Sequence, residues 1–201
     1  MKKILFLLLA SAFLFPMMES QAQTKAQPQV QQQELTKQQI RQMKRDQRKK
    51  ARQMADEQAF EAAKTALQDR NWVLMANTLY GPRGTSIPVT DNTNFIQFKG
   101  NTVYVQLAFD GIAGANGLGG ITVQGTPSQI KTTTDKHGNI TYSFFVNGIA
   151  LTAQVVVNLS ADGNYASGTV YPMMNSNNLT FSGVLVPTSQ SGIFRSGFIS
   201  Y

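Results

Sequence analysis

From Trp72 onward the chain alternates apolar and polar residues two by two, and before Asp69 it does not. Val103, Val105, Leu107 and Phe109 share one phase, with Thr102, Tyr104, Gln106 and Ala108 on the other. Ile140, Tyr142, Phe144 and Val146 repeat the pattern, as do Leu151, Ala153, Val155, Val157 and Leu159. A strand sends successive side chains to opposite faces, so these runs predict half-buried β-strands. The same reading places strands over 72–80, 94–98, 120–124, 129–134, 164–171 and 179–186. Turn signals separate them: Lys99-Gly100-Asn101, Lys136-His137-Gly138-Asn139, Asn147-Gly148 and Asp162-Gly163. Asn-Gly and Asp-Gly suit tight turns that need positive φ. No helix-length segment intervenes, which excludes a parallel α/β sheet. The pattern predicts a mainly β domain, an antiparallel meander of about eight to nine strands closed into a barrel or folded as a sandwich.

Upstream the period is helical. Thr36-Lys37-Gln38-Gln39 offers a capping box, with Thr36 as N-cap and Gln39 reaching back. Neither Pro nor Gly follows until Gly81, so one long basic α-helix is expected from Lys37 to about Asp69, roughly 50 Å at 1.5 Å per residue. Ala51, Met54, Ala55, Ala59, Ala62, Ala63, Ala66 and Leu67, with Phe60, form a shallow apolar stripe expected to lean on the β domain. The first half of the helix is expected to project into solvent. Before it, Gln23–Gln33 is Gln-rich, contains Pro28 and has one branched aliphatic, Val30, which reads as a flexible leader. Lys2 and Lys3 precede an apolar run from Ile4 to Met18, and Ser20-Gln21-Ala22 puts small residues where a signal peptidase reads. The run falls short of the ~20 residues of a spanning helix and contains Pro16. The expected organisation is a signal peptide over 1–22, a leader over 23–36, the helix over 37–70 and the β domain over 71–201, in an exported protein, periplasmic or associated with the outer membrane or cell surface.

Charge sharpens this division. The chain holds 18 basic and 11 acidic residues, yet 71–201 contains only Arg83, Lys99, Lys131, Lys136, Arg195, Asp91, Asp110, Asp135 and Asp162. The excess of cations sits in the helix. Lys44, Arg45, Arg48, Lys49, Lys50 and Arg52 could touch an anionic surface, or the helix could be a solvated spacer. Export argues against nucleic acid. About 7% of the β domain is charged, against ~25% in ordinary soluble proteins, and its outward positions are Thr, Ser, Asn and Gln. Such a surface suits a glycan or another protein.

Several segments follow one another in a recognisable order: Leu79-Tyr80-Gly81-Pro82-Arg83-Gly84, Asn94-Phe95, Val105-Gln106-Leu107, Asn116-Gly117-Leu118-Gly119-Gly120, Lys136-His137-Gly138-Asn139, Asp162-Gly163-Asn164-Tyr165-Ala166 and Ser182-Gly183-Val184-Leu185-Val186-Pro187. This order resembles an uncharacterised family of secreted Bacteroidetes proteins, the domain-of-unknown-function family 4251, over about residues 65 to 197. The resemblance implies a location in the envelope of a diderm bacterium and brings no assigned catalytic residues.

Candidate chemistry is sparse. With no Cys and one His, thiolate chemistry, disulfides and multi-His metal sites are excluded. Glu is absent after Glu61, and no Gly-x-Ser-x-Gly elbow exists. His137 falls in a turn signal and is expected there as an exposed residue. The glycines from Gly111 to Gly120 lack phosphate-loop spacing and precede a strand, but their bare backbone could line a binding mouth. No enzyme, cofactor or metal is expected. The candidate ligand-binding residues are Asn116, Gly117, Gly119 and Gly120, with Trp72 and Arg195. In a lipocalin-like carrier the last two would close one barrel end by a cation–π contact; otherwise Trp72 is a core aromatic and Arg195 a solvated tail residue. A carrier holding a small apolar ligand and a small outer-membrane barrel are the alternative architectures for function.

Overall fold

The structure, a computed structural model, describes residues 36–109, 119–149, 152–174 and 177–195. The expected signal peptide and most of the leader lie outside the described residues.

Helix α1 (Lys37–Gln68) opens on the capping box read from the sequence. The Gln39 N–H donates to Thr36 Oγ1 at 3.3 Å, and the Thr36 N–H donates to Gln39 Oε1 at 2.8 Å. The helix ends where Arg70 turns left-handed at φ 54°. Only its last turns meet the barrel. Ala63, Ala66 and Leu67 are buried and Phe60 packs against the same core, whereas Ala51, Met54 and Ala55 remain exposed. The contact is shorter than the alanine stripe suggests, because alanines stabilise a packed helix only where another surface reaches them.

Nine antiparallel strands follow: β1 (Asn71–Tyr80), β2 (Ser86–Pro88), β3 (Phe95–Lys99), β4 (Thr102–Leu107), β5 (Ile121–Thr134), β6 (Ile140–Asn147), β7 (Thr152–Leu159), β8 (Tyr165–Pro172) and β9 (Leu179–Pro187). β1 pairs with β3, each of β3 to β8 pairs with the next, and β9 returns to β1 through Trp72↔Pro187 to Tyr80↔Thr180. Eight strands therefore close a barrel, and β2 is an addition to the second half of β1. Closure leaves no long unpaired edge, which resolves the choice between barrel and sandwich.

Two strands depart from the sequence reading. The short β2 carries no alternation, since all three of its residues are exposed. The runs expected separately at 120–124 and 129–134 form one strand, β5. The interval between them is a strand with a bulge: the register shifts between Ser128 and Lys131, with Gln129 at φ 51°. Pro127 points inward, and the extra residue turns Ile130 back towards the core where unbroken alternation would have sent Gln129.

The barrel interior is filled. Trp72, Phe98, Tyr142 and Phe144 form an aromatic cluster, with Trp72 stacked on Phe98 at 5.7 Å and Phe98 edge-on to Phe144 at 5.1 Å. Leu74 and Ile96 cross from β1 and β3 to the wall formed by β8. A Cβ placed on Gly168 would lie 2.7 Å from Leu74 Cδ2 and 2.9 Å from Ile96 Cδ1. This is the side-chain-filled form of an eight-stranded barrel, which leaves the carrier architecture without an internal cavity among the described residues.

After β9 and one 3₁₀ turn (Thr188–Gln190), the chain crosses the outer wall. The Phe194 N–H donates to Asn92 O at 2.8 Å, and Gln106 Nε2 donates to Phe194 O and Thr93 O, both at 2.9 Å. Beneath this strap Val73 and Phe95 are buried although they face away from the interior. The buried Asn94 ties the preceding loop to the end of β4, donating to Ala108 O and accepting from the Ala108 N–H.

Candidate functional site

The six residues singled out in the sequence do not converge. Trp72 is fully buried inside the barrel, the core aromatic of the two readings. Arg195 is not its partner: it is exposed near the chain's end, and its guanidinium lies 4.5 Å from the Tyr104 ring centroid, on the outer wall. The cation–π closure of the lipocalin-like reading is therefore not made by this pair. Gly119 takes φ +77°, and Gly120 lies so close to Leu107 O that no side chain fits, so both glycines set the entry to β5. Asn116 and Gly117 lie outside the described residues.

A different region has the geometry of a site. Thr141 pairs with Asn158, Asn158 with Ser167, Ser167 with Ser182, and Ser182 with Thr78. Five strands thereby place one continuous row of hydroxyl and amide side chains across the outer wall. The middle of the row is low, because Ser167 and Ser182 are small. Tyr80 and Tyr165 border it and are 41% and 58% exposed. The resulting open groove encloses about 700 Å³, within the ~300–1,000 Å³ of small-ligand sites. Thr141 Oγ1 already donates to Asn158 Oδ1 at 2.9 Å, fixing the amide orientation.

One rim is rigid. The Asp135 carboxylate accepts from Asn139 Nδ2 at 2.8 Å and from the His137 and Asn139 backbone N–H groups. The Asn139 side-chain amide, above all, holds the carboxyl below its ordinary value; desolvation opposes it, and the His137 and Asn139 N–H groups add to the lowering. Asn139 Oδ1 in turn accepts from the Ala161 N–H, joining the two neighbouring hairpin turns. His137 is exposed in its turn, as expected. Among the groove's lining residues the titratable groups are Asp135, Tyr80 and Tyr165. The lining offers hydrogen bonds and aromatic faces, with no nucleophile–base pair.

Sequence reasoning found the uncharged outward positions but not the groove. Thr78, Thr141, Asn158, Ser167 and Ser182 are far apart in the chain, and only strand register makes them neighbours. The Tyr165 in the Asp162-Gly163-Asn164-Tyr165 turn was the available signal.

The molecule is a closed, side-chain-filled antiparallel barrel with an N-terminal helix and a polar outer groove. The family model of the Domain of unknown function (DUF4251) matches residues 54–185, and the chain belongs to that family. It is also similar to a DUF4251 family protein from Bacteroides eggerthii DSM 20697, known from a crystal structure. The two share 44% identity over 72% of this chain and 99% of the other, with a TM-score of 0.62. No curated protein matches.

Proposed function

We propose that this chain is a non-enzymatic envelope binding module whose outer groove takes a neutral, hydroxyl-rich ligand, a short segment of glycan. The observation that carries the reading is the row from Thr141 through Asn158, Ser167 and Ser182 to Thr78, set between Tyr80 and Tyr165. Paired hydroxyls and amides match sugar hydroxyls as both donors and acceptors. Phenol rings supply apolar faces for the C–H surfaces of a sugar ring and keep a polar tip in water. Net charge would add nothing to such recognition, and little is present.

An envelope location is supported by the N-terminal signal pattern and by the family resemblance. The outer-membrane barrel is the weaker architecture, since the outward positions of β6 to β9 mix Thr, Ser, Asn and Gln with Phe145, Val156, Val184 and Val186, where a lipid-spanning barrel needs a continuous apolar belt.

The test uses the chain as an exporting cell processes it, with mass spectrometry expected to place its N-terminus at Gln23. Calorimetric titration with neutral oligosaccharides should give saturable binding. Tyr165→Ala should weaken it about tenfold, the equivalent of ~1.4 kcal/mol, and Ser167→Arg should abolish it by filling the groove. Binding unaffected by both variants would exclude this groove, and an N-terminus at Met1 in a cytoplasmic fraction would exclude the envelope.

A further inference from the structure

A second surface lies on α1, ahead of the family-matched residues, which begin at Met54. At 3.6 residues per turn, Arg41, Lys44, Arg45, Arg48 and Arg52 fall within an arc of about 100°. Lys50 points to the opposite side and Lys49 to the border, so the structure divides the cations that the sequence offered as one group. The arc has a continuous helical backbone behind it and all five side chains are exposed. Asp46, the one acid between Lys37 and Arg52, projects from the far side. Among the described residues, Arg52 alone of the five forms an ion pair, with Asp56 at 3.9 Å. Elsewhere the helix is not built to enter lipid: Ile40, Met43 and Met54 share another side of it, but they are three apolar side chains spread over fifteen residues beside glutamines.

We propose that this face of α1 docks on the headgroup surface of an anionic bilayer. A straight row of cations confined to one narrow arc can meet a plane along its whole length, about 17 Å from Arg41 to Arg52. Each cation near an anionic leaflet adds to the attraction, by roughly fivefold in affinity. Long Arg and Lys side chains reach phosphates without burying the backbone. Contact is therefore electrostatic and peripheral, and it leaves the groove on the barrel wall open. It does not depend on what the groove binds.

Vesicle co-sedimentation tests this with the chain beginning at Gln23, which keeps every described residue and omits the apolar run of the expected signal peptide. Vesicles of phosphatidylcholine with phosphatidylglycerol should retain the protein at low salt. At about 1 M salt, where charges are screened beyond ~3 Å, they should release it. The triple variant Arg41→Glu, Arg45→Glu, Arg48→Glu should bind at least about 100-fold more weakly, whereas Lys50→Glu should change binding by no more than about fivefold. Circular dichroism melting should be the same for all of them. Three results overturn the proposal: equal binding to pure phosphatidylcholine, retention of the triple variant, or binding of soluble polyphosphate with no binding of anionic vesicles.

Discussion

Tyr142 shows how one atom can carry a measurable consequence. Its ring belongs to the aromatic cluster, but its hydroxyl and the Trp72 Nε1 facing it are buried without completing a hydrogen bond. Burial raises the phenol pKa above 10.0, with Arg70 opposing and the Trp72 indole opposing less. The folded state therefore holds the proton more tightly than the unfolded chain. Below pH 10 both forms are protonated and the stability is complete. As pH rises past 10 the unfolded chain releases its proton first, and stability is lost until the folded pKa is reached, at no more than about 1.4 kcal/mol per pH unit. Tyr142→Phe should remove that component. It should also leave stability at pH 7 unchanged or raise it by up to ~1 kcal/mol, since it deletes an unpartnered hydroxyl. Urea titrations of both proteins at pH 7 and pH 11 measure the difference, and a steeper alkaline loss in the variant would reverse the argument.

Among the elements, those legible from sequence were the ones whose period matched their environment. β6, β7, β8 and β9 each have one apolar and one polar face, and their strands coincide with the alternation to within one or two residues. β5 was split at Gly125–Ser128, where Gly125 and Pro127 interrupt the run, and tertiary pairing with β6 overrides that local signal. β2 and the strap were missed for the opposite reason, since neither has a period and each is held by what it lies against. The groove was invisible because it is a property of register. The helix was legible in its cap and length but not in its contact, which a paired experiment can locate. Deleting residues 23–50 should move the barrel's melting temperature by about 2 °C or less, because the helical residues removed are exposed. Leu67→Ala, at a fully packed position, should cost about 2–4 kcal/mol. A large loss from the deletion would mean that the first half of α1 supports the barrel.

For the molecule as a whole, closure between β1 and β9 makes every strand depend on its neighbours, and the strap after β9 extends that dependence outside the barrel. The first half of β1 is enclosed on both faces: Trp72 and Leu74 face the filled interior, while Val73, facing outward, is buried on the strap's side of the wall. Two layers thus sit back to back across one strand, and they separate two effects of Arg195. Its stacking on Tyr104 is an outer-layer contact worth about 0.5–1 kcal/mol. Arg195→Ala should lower stability by that amount while leaving the Trp72 emission maximum unchanged, because the indole lies on the inner side. Ending the chain at Gln190 should cost more, about 2–4 kcal/mol, as Val73 and Phe95 gain water and Gln106 loses the Phe194 carbonyl. Chemical denaturation followed by tryptophan fluorescence reads both quantities in one titration. A shift of the native emission in Arg195→Ala would mean that the guanidinium reaches the indole after all, and that the strap and the interior form one layer.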